Sequence, residues 1–374
     1  NAFVAFTLAS LMSWPAAMGL VVIEGAVIVI CVLTRFRTAI FRAVPAELKS
    51  AIAVGIGLFI ALVGLVDGGI VHTPASLATP LELGTAGSLA SWPTVVFVFG
   101  LLLTAVLLAR KVKGAILIGI VAATVFAFVV QAVVPSSGWQ HGMPALPATI
   151  LSTPDLHLLG RFDLLGAFRQ VGVLSAVVLA FSLLLSDFFD TVGTIVGVGA
   201  SGGLLDAQNN PPRMGRVLFV DGLGAIAGGV ASVSSNTGFI ESAAGVGEGA
   251  RTGFANVVTG LLLLAAMGLA PLVTMIPAEA ATPALVIVGC LMTAQVRRID
   301  FSDYGIAIPA FLTLILMPFT YSITNGIGAG FVSYAVIRLF QGRAREVHPL
   351  MWIVAALFLA YFAIEPIEHL LGLV

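Results

Sequence analysis

Long apolar blocks separated by short polar connections run through this chain, with little of the period-two alternation that marks half-buried strands. A helix needs about 20 apolar residues to cross the hydrocarbon core of a membrane. On that criterion the pattern predicts spans at 14–34, 47–66, 92–110 and 114–134, and then at 171–199, 217–233, 254–275, 282–296, 304–321 and 326–341. Two apolar segments, 1–13 and 236–248, are too short to cross alone, and a last one covers 350–366. The stretch 135–160 contains Pro, Ser and His and reads as an external connection, with 161–170 as a surface helix.

Composition sharpens that pattern into a class. Of 374 residues, 59% are hydrophobic and 9% charged, against about 25% charged in an ordinary soluble domain. So little polar surface excludes a soluble enzyme, a nucleic-acid binder and a disordered chain, and leaves an all-α polytopic membrane protein. The net charge of −1 carries no information about partners, because the placement of charge matters here and its sum does not. Cys31 and Cys290 lie far apart inside apolar runs, which suits packing residues and neither a disulfide framework nor a metal motif. The chain opens at Asn1 inside an apolar stretch with no charged region before it, so further sequence upstream is expected.

Basic residues orient the spans. They cluster at Arg35, Arg37, Arg42 and Lys49, at Arg110, Lys111 and Lys113, at Arg213 and Arg216, at Arg251, at Arg297 and Arg298, and at Arg338, Arg343 and Arg345. The connections 67–91, 135–160 and 276–281 hold no Lys or Arg. With the two short segments counted as half-depth returns, all basic clusters fall on one side. By the positive-inside rule that side is the cytoplasm.

The orientation exposes an internal symmetry. Val44-Pro45-Ala46-Glu47 opens one span and Ile276-Pro277-Ala278-Glu279 another, with Gly57 and Gly289 at equal distances beyond. The first motif is cytoplasmic and the second external, the pattern of an inverted-repeat secondary transporter. Each half also places a short broken segment ahead of the motif and ends on two spans. The second half holds seven segments and the first only five, so the symmetry predicts two helices before Asn1 and a seven-plus-seven plan.

A transporter of this kind binds its cargo near the midplane, where discontinuous segments expose backbone groups. Ser232-Val233-Ser234-Ser235-Asn236-Thr237-Gly238-Phe239-Ile240-Glu241 is too polar for a lipid-facing helix. It predicts a short extended stretch and then a half helix from Glu241, whose free N–H groups would face a polar ligand. Its counterpart begins at Asn1-Ala2-Phe3, so two short crossed strands are expected, one in each half. Intramembrane carboxylates cost about 2.5–3.5 kcal/mol each on insertion scales, so each needs a reason. Asp187 and Asp190 share a helical face by their i, i+3 spacing, and Glu241 is the third. Burial and mutual repulsion raise such groups toward neutral pH, which suits proton coupling, whereas bracing a helix pair is the alternative. Glu24, mid-span, fits either a pairing across the core or a structural role. Glu248 and Arg251 are spaced as a gate or interface pair, and Asp221 with Arg216 as a local ion pair at a membrane edge. All five histidines fall outside the main spans, against a histidine relay or a metal site.

These residues form recognisable motifs. Ser186 to Gly193, Glu241 to Gly253, Ile308 to Thr313 and Met317 to Ser322 resemble the azaguanine-type branch of the nucleobase:cation symporter-2 (nucleobase–ascorbate transporter) superfamily, which carries adenine, guanine and hypoxanthine. The resemblance runs the length of the chain, and Asn1-Ala2-Phe3 matches the family's third segment. It implies a fourteen-segment fold with short strands in segments three and ten. It also implies a core domain from 1–46 and 171–275, a gate domain from 47–134 and 276–345, and 135–170 as the external connection and surface helix. The apolar 346–374 exceeds that plan and is expected along the cytoplasmic surface. Carried over by motif, Asp190 and Asp187 correspond to the eighth-segment carboxylates, Glu241 to the tenth-segment glutamate that binds the base, and Asn1 to the third-segment asparagine. The resemblance further implies proton-coupled import across the cytoplasmic membrane, H+ as coupling ion with no cofactor, and a homodimer through the gate domain.

Elementary chemistry agrees with a purine cargo. The base is flat, mostly neutral at pH 7 and edged with ring donors and acceptors, so carboxylates and Thr237 can bond its edge while Phe3, Phe189 or Phe239 stacks on its face. Packing is the alternative for each phenylalanine. Uracil or xanthine is open as cargo within the same fold. A sulfate or bicarbonate carrier fits poorly with three carboxylates, an integral-membrane enzyme lacks the second acidic cluster and phosphate-binding bases it would need, and a channel would need no inverted halves.

Overall fold

The structure is a computed structural model. It describes all residues except 2, 35–42, 74–79, 85–87, 136–138, 140–143, 148, 205–212, 240, 241, 248 and 371–374, and the side chains of those residues except, within helices, at 6, 7, 174, 178, 182, 185, 189, 190, 192, 193, 196, 197, 200, 201, 243, 244, 247, 324 and 364–370.

The protein is mostly helical. Its main helices are α1 (Trp14–Leu33), α2 (Ala46–Asp67), α3 (Trp92–Ala109), α4 (Ala115–Val133), α5 (Val173–Ser201) and α6 (Met214–Ala231). They continue with α7 (Ser242–Gly247), α8 (Phe254–Met267), α9 (Pro283–Thr293), α10 (Tyr304–Phe319), α11 (Ile323–Phe340) and α12 (Pro349–Leu370). Six helices among the described residues are long and apolar enough to cross a membrane: α1 to α4, α6, and the run Ala278–Arg298 that contains α9. The helix boundaries follow local chemistry. Pro15 and Pro93 occupy first turns, where a missing N–H costs nothing. Ser91, Asp303 and Ser322 cap α3, α10 and α11 by accepting from Thr94, Gly305 and Asn325 backbone N–H groups.

Packing divides the chain into two compact units. One comprises Asn1–Gly55, Asp155–Ala255 and Gln295–Val374, and the other Ile56–Pro154 and Asn256–Ala294. In the first, α1 and α6 cross at glycines. A Cβ on Gly25 would lie 2.7 Å from the Ile226 N and 2.9 Å from the Gly222 O, and one on Gly229 would lie 2.7 Å from Val22 Cγ2. Small residues let the two backbones approach where no hydrophobic effect drives helices together. Ala17, Leu20 and Val21 of α1 share a buried apolar cluster with Ala176 and Leu183 of α5, joined by Val4, Leu8 and Met12. The starts of α1 and α5 are tied together, since Gln170 accepts from the Ser13 N–H at 2.8 Å and donates to the Ser13 hydroxyl at 2.9 Å.

In the second unit, α3 and α4 pack as a hairpin, with Phe99 and Phe126 ring centroids 4.7 Å apart. Here too the repeated glycines meet. A Cβ on Gly57 would lie 2.8 Å from the Gly289 carbonyl oxygen, and one on Gly289 would collide with the Gly57 carbonyl oxygen. The two positions that the repeated motif singles out therefore touch each other reciprocally.

Several expectations are corrected. Val4–Leu8 and Ala9–Leu11 of segment three are helical and 234–239 carries no regular secondary structure, so no strand forms at either place among the described residues; Ala2, within the other expected strand, lies outside them. Val4 and Leu8 are buried one helical turn apart in the cluster with α1 and α5, and a strand would send alternate residues to opposite faces. The described residues form one short ladder elsewhere, Val71–His72 against Glu82–Leu83, within the connection 67–91. The span 254–275 breaks at Gly268 and Leu269 into α8 and Ala270–Thr274, and the surface helix shortens to Gly166–Gln170. Cys290 is exposed and does not pack.

The last segment also departs from expectation. α12 does not lie flat beyond α11 but doubles back along it. Phe358, fully buried, sits against Gly328 near the start of α11, with its ring 5.9 Å from Phe331 and 6.0 Å from Phe181 of α5. Ile353, Leu357 and Leu359 are exposed, so over its described side chains, 349–363, α12 carries apolar residues on its outward face as well as its packed one.

Candidate functional site

The site is built where α6 ends. Its last turn closes with Ser232 at φ +64°, and Ser234 follows at φ +70°. Left-handed backbone costs about 1–2 kcal/mol at a residue other than glycine, so two such serines within three residues mark a turn held by its surroundings. Trp14 supplies part of the hold: its indole N–H donates to the Ser232 hydroxyl at 2.9 Å.

The chain then returns alongside α6. A Cβ on Gly228 would collide with the Ser234 carbonyl oxygen, and one on Gly224 would lie 2.7 Å from that of Asn236. Only glycine leaves room for backbone to run this close to a helix. On its other side the segment meets α5. The Ser235 hydroxyl donates to Asp187 Oδ1 at 3.2 Å, and a Cβ on Gly238 would lie 3.7 Å from Thr194 Cγ2.

Asp187 is 6% exposed, and Thr191 and Thr194 follow it at i+4 and i+7, so the three form one buried polar stripe on a largely apolar helix. Thr191 donates to Asp221 Oδ1 at 2.9 Å. Asp221, on α6 and 9% exposed, thus joins this polar stripe, whereas the sequence pattern paired it with Arg216. Arg216, its expected partner, is exposed. Five residues along a helix turn a side chain well away from that partner, and the i+4 and i+7 threonine spacing on α5 was the available signal. The arrangement can accept hydrogen bonds from a ligand and exchange protons at buried carboxylates.

The other expected site residues are distributed unevenly. Thr237 is half-buried and Phe239 exposed, on the same returning segment. Phe3 is half-buried against the α1/α5 apolar cluster, and Asn1 is exposed with its carbonyl accepting from the Ala5 N–H. Glu241 and Glu248 lie outside the described residues, as do the side chains of Asp190 and Phe189. Arg251 bonds the carbonyls of Val246 and Ala250 at 2.7 and 2.8 Å and so caps the end of α7.

A second polar network lies at the junction of α10 and α11. Arg338, 4% exposed, donates to Asp303 Oδ2 at 2.9 Å and to Gln341 Oε1 at 3.1 Å. Arg343 reaches the same Asp303 oxygen at 3.5 Å and pairs Glu346 at 2.7 Å. The Gly305 N–H, with Arg338 and Arg343 behind it, holds the Asp303 carboxyl below the usual carboxylate range. The network fastens the two helices near the membrane edge.

Comparison with known proteins gives a consistent result. A family profile described as a permease family matches residues 2–329. The guanine/hypoxanthine permease PbuG of Bacillus subtilis is 37% identical over 354 residues, 94% of this chain and 76% of that protein. The adenine permease AdeP of Escherichia coli is 36% identical over 361 residues, 96% of this chain and 77% of that protein. The guanine/hypoxanthine permease PbuO of Bacillus subtilis is 36% identical over 365 residues, 96% of this chain and 81% of that protein. Among solved structures, the transmembrane domain of a cyanobacterial bicarbonate transporter, BicA, superposes with a TM-score of 0.57 over 88% of this chain and 80% of that one. At 16% identity that likeness is one of fold.

Proposed function

The chain belongs to this permease family, the nucleobase–ascorbate transporters, and is a multi-pass membrane transporter and not an enzyme; from that premise we propose that it imports purine nucleobases together with protons. The observation that carries the reading is Asp187, a buried carboxylate in the middle of an apolar helix, held by Ser235 of an irregular polar segment. Irregular backbone at membrane depth is tolerated where it lines a cavity or is covered by protein. Relatives named as adenine and guanine/hypoxanthine permeases support the cargo class.

In this reading the base edge donates to Asp187 and Glu241, and Thr237 completes the hydrogen bonding. Phe239 or Phe3 covers the ring face. Asp187, Asp190 and Glu241 share the coupling protons, with no cofactor. Asp221, bonded to Thr191, positions the Asp187 stripe of α5. A neutral base entering with a proton carries one positive charge inward, and the membrane potential contributes about 2.3 kcal/mol per charge per 100 mV.

The reciprocal Gly57 and Gly289 contact supports a seven-plus-seven inverted repeat. On that plan 1–46 with 171–275 form the substrate-carrying core and 47–134 with 276–345 the gate, through which two copies associate.

The test is uptake of labelled hypoxanthine, adenine and guanine into cells lacking their own purine permeases, with and without a protonophore. Protonophore-sensitive purine uptake that Glu241→Gln abolishes is expected. Absence of purine uptake by protein demonstrated in the membrane overturns the cargo assignment, and uptake indifferent to the protonophore overturns the coupling.

A further inference from the structure

We propose that Glu24 of α1 is a further proton-carrying carboxylate of this transporter, acting at the same depth as Asp187; the proposal rests on the reading of the protein as a proton-coupled purine importer. Glu24 is 1% exposed. Two independent chains of contact fix its depth. Gly25, its neighbour, packs against Ile226 of α6. The returning segment passes Gly228 at Ser234 and Gly224 at Asn236, so Ser235 lies at the level of Ile226, and Ser235 bonds Asp187. The second chain runs one helical turn deeper. Gly222 packs on Ile28 and Val29 of α1, and its neighbour Asp221 bonds Thr191 of α5. Thr191 is one turn beyond Asp187 as Ile28 is one turn beyond Glu24, so both routes bring Glu24 and Asp187 to one level.

The face of α1 agrees. Glu24 follows Ala17, Leu20 and Val21 at i+7, i+4 and i+3, and those residues share the buried cluster with Ala176 and Leu183 of α5. Among the described side chains, the charged groups that the two long helices packed on α1 bring to this level are acidic: Asp187 on α5 and Asp221 on α6. The basic ones on the elements packed on α1 are Arg216, exposed near the start of α6, and Arg169, exposed in the Gly166–Gln170 helix and paired with Asp163. Buried acids at one level oppose each other's ionisation, so loading one with a proton changes the readiness of the next, and they titrate as a set. Purine arrival at Asp187 then shifts protonation at Glu24 without touching it.

The protein is purified and titrated with hypoxanthine and adenine by calorimetry in two buffers of different ionisation enthalpy, which counts protons taken up per purine bound. Wild-type protein that binds purine without proton uptake overturns the coupling reading and this proposal with it. Given wild-type proton uptake, folded Glu24→Gln is expected to bind purine within about threefold, to take up about half as many protons or fewer, and to lose about tenfold of proton-gradient-driven uptake in vesicles. A folded Glu24→Gln protein with wild-type proton count and gradient response overturns the role of Glu24 and leaves the importer reading standing. If Glu24→Gln does not accumulate in membranes, Glu24→Asp decides: a displaced pH midpoint of uptake supports the proposal, and an unchanged midpoint and proton count overturn it.

Discussion

Asp187 and Asp303 show how the same side chain serves two ends in one protein. Asp187 is buried on a largely apolar helix and accepts from the Ser235 hydroxyl of the irregular 232–239 segment. Asp187→Asn is expected to lower purine uptake by about a hundredfold with little change in melting temperature, because the amide keeps the shape and loses the charge. Ser235→Ala is expected to act in the same direction by about tenfold, the size of one hydrogen bond to a charged group. Asp303 works as a fastener. Its carboxyl titrates below the ordinary range because Gly305 and Arg338 stabilise the ionised form. A depressed folded value stabilises the protein above the unfolded value near 3.8 and loses that contribution as pH falls through the folded one. Asp303→Asn is therefore expected to lower the melting temperature at pH 7, with the difference from wild type closing as pH is taken below the usual carboxylate range. Paired thermal melts across pH would show this.

At the scale of elements, close backbone approach decides the architecture. The 232–239 segment can run between α5 and α6 because Gly228 and Gly224 present no side chain to it. Gly228→Val is expected to displace Ser235 from Asp187 and so to remove uptake, at an overpacking cost of about 1–3 kcal/mol. A lowered melting temperature together with lost purine binding is the readout. Gly328 has the corresponding role for α12, where Phe358 fills the space a side chain would need. Gly328→Leu is expected to free α12, measurable as faster proteolysis after residue 341 with α1 to α6 intact.

For the molecule as a whole, the distribution of Lys and Arg makes a topological prediction. With Cys31 and Cys290 replaced, a cysteine introduced at Ser152 is expected to react with a membrane-impermeant maleimide from outside whole cells, and one at Arg345 only after the membrane is opened. Identical labelling of both would contradict the orientation.

Hydrophobic block length alone determined that this is a helical membrane protein, and it placed most helices within a few residues, because a 30 Å apolar slab permits little else. Motif and spacing likewise isolated Asp187 and the polar segment beginning at Ser232, since a carboxylate or a serine run in an apolar helix is costly enough to be conspicuous. Three features were decided by tertiary structure. Asp221 accepts from Thr191 of a neighbouring helix, a bond its spacing from Arg216 did not suggest, because contacts between helices depend on crossing geometry that a one-dimensional spacing does not contain. Val4–Leu8 and Ala9–Leu11 are helical, with Val4 and Leu8 meeting the α1/α5 cluster from one side, a burial pattern visible only once those helices are packed. Finally, Glu24 and Asp187, 163 positions apart in sequence, come to one depth through the glycine contacts of α6, a relation set by how closely three backbones approach.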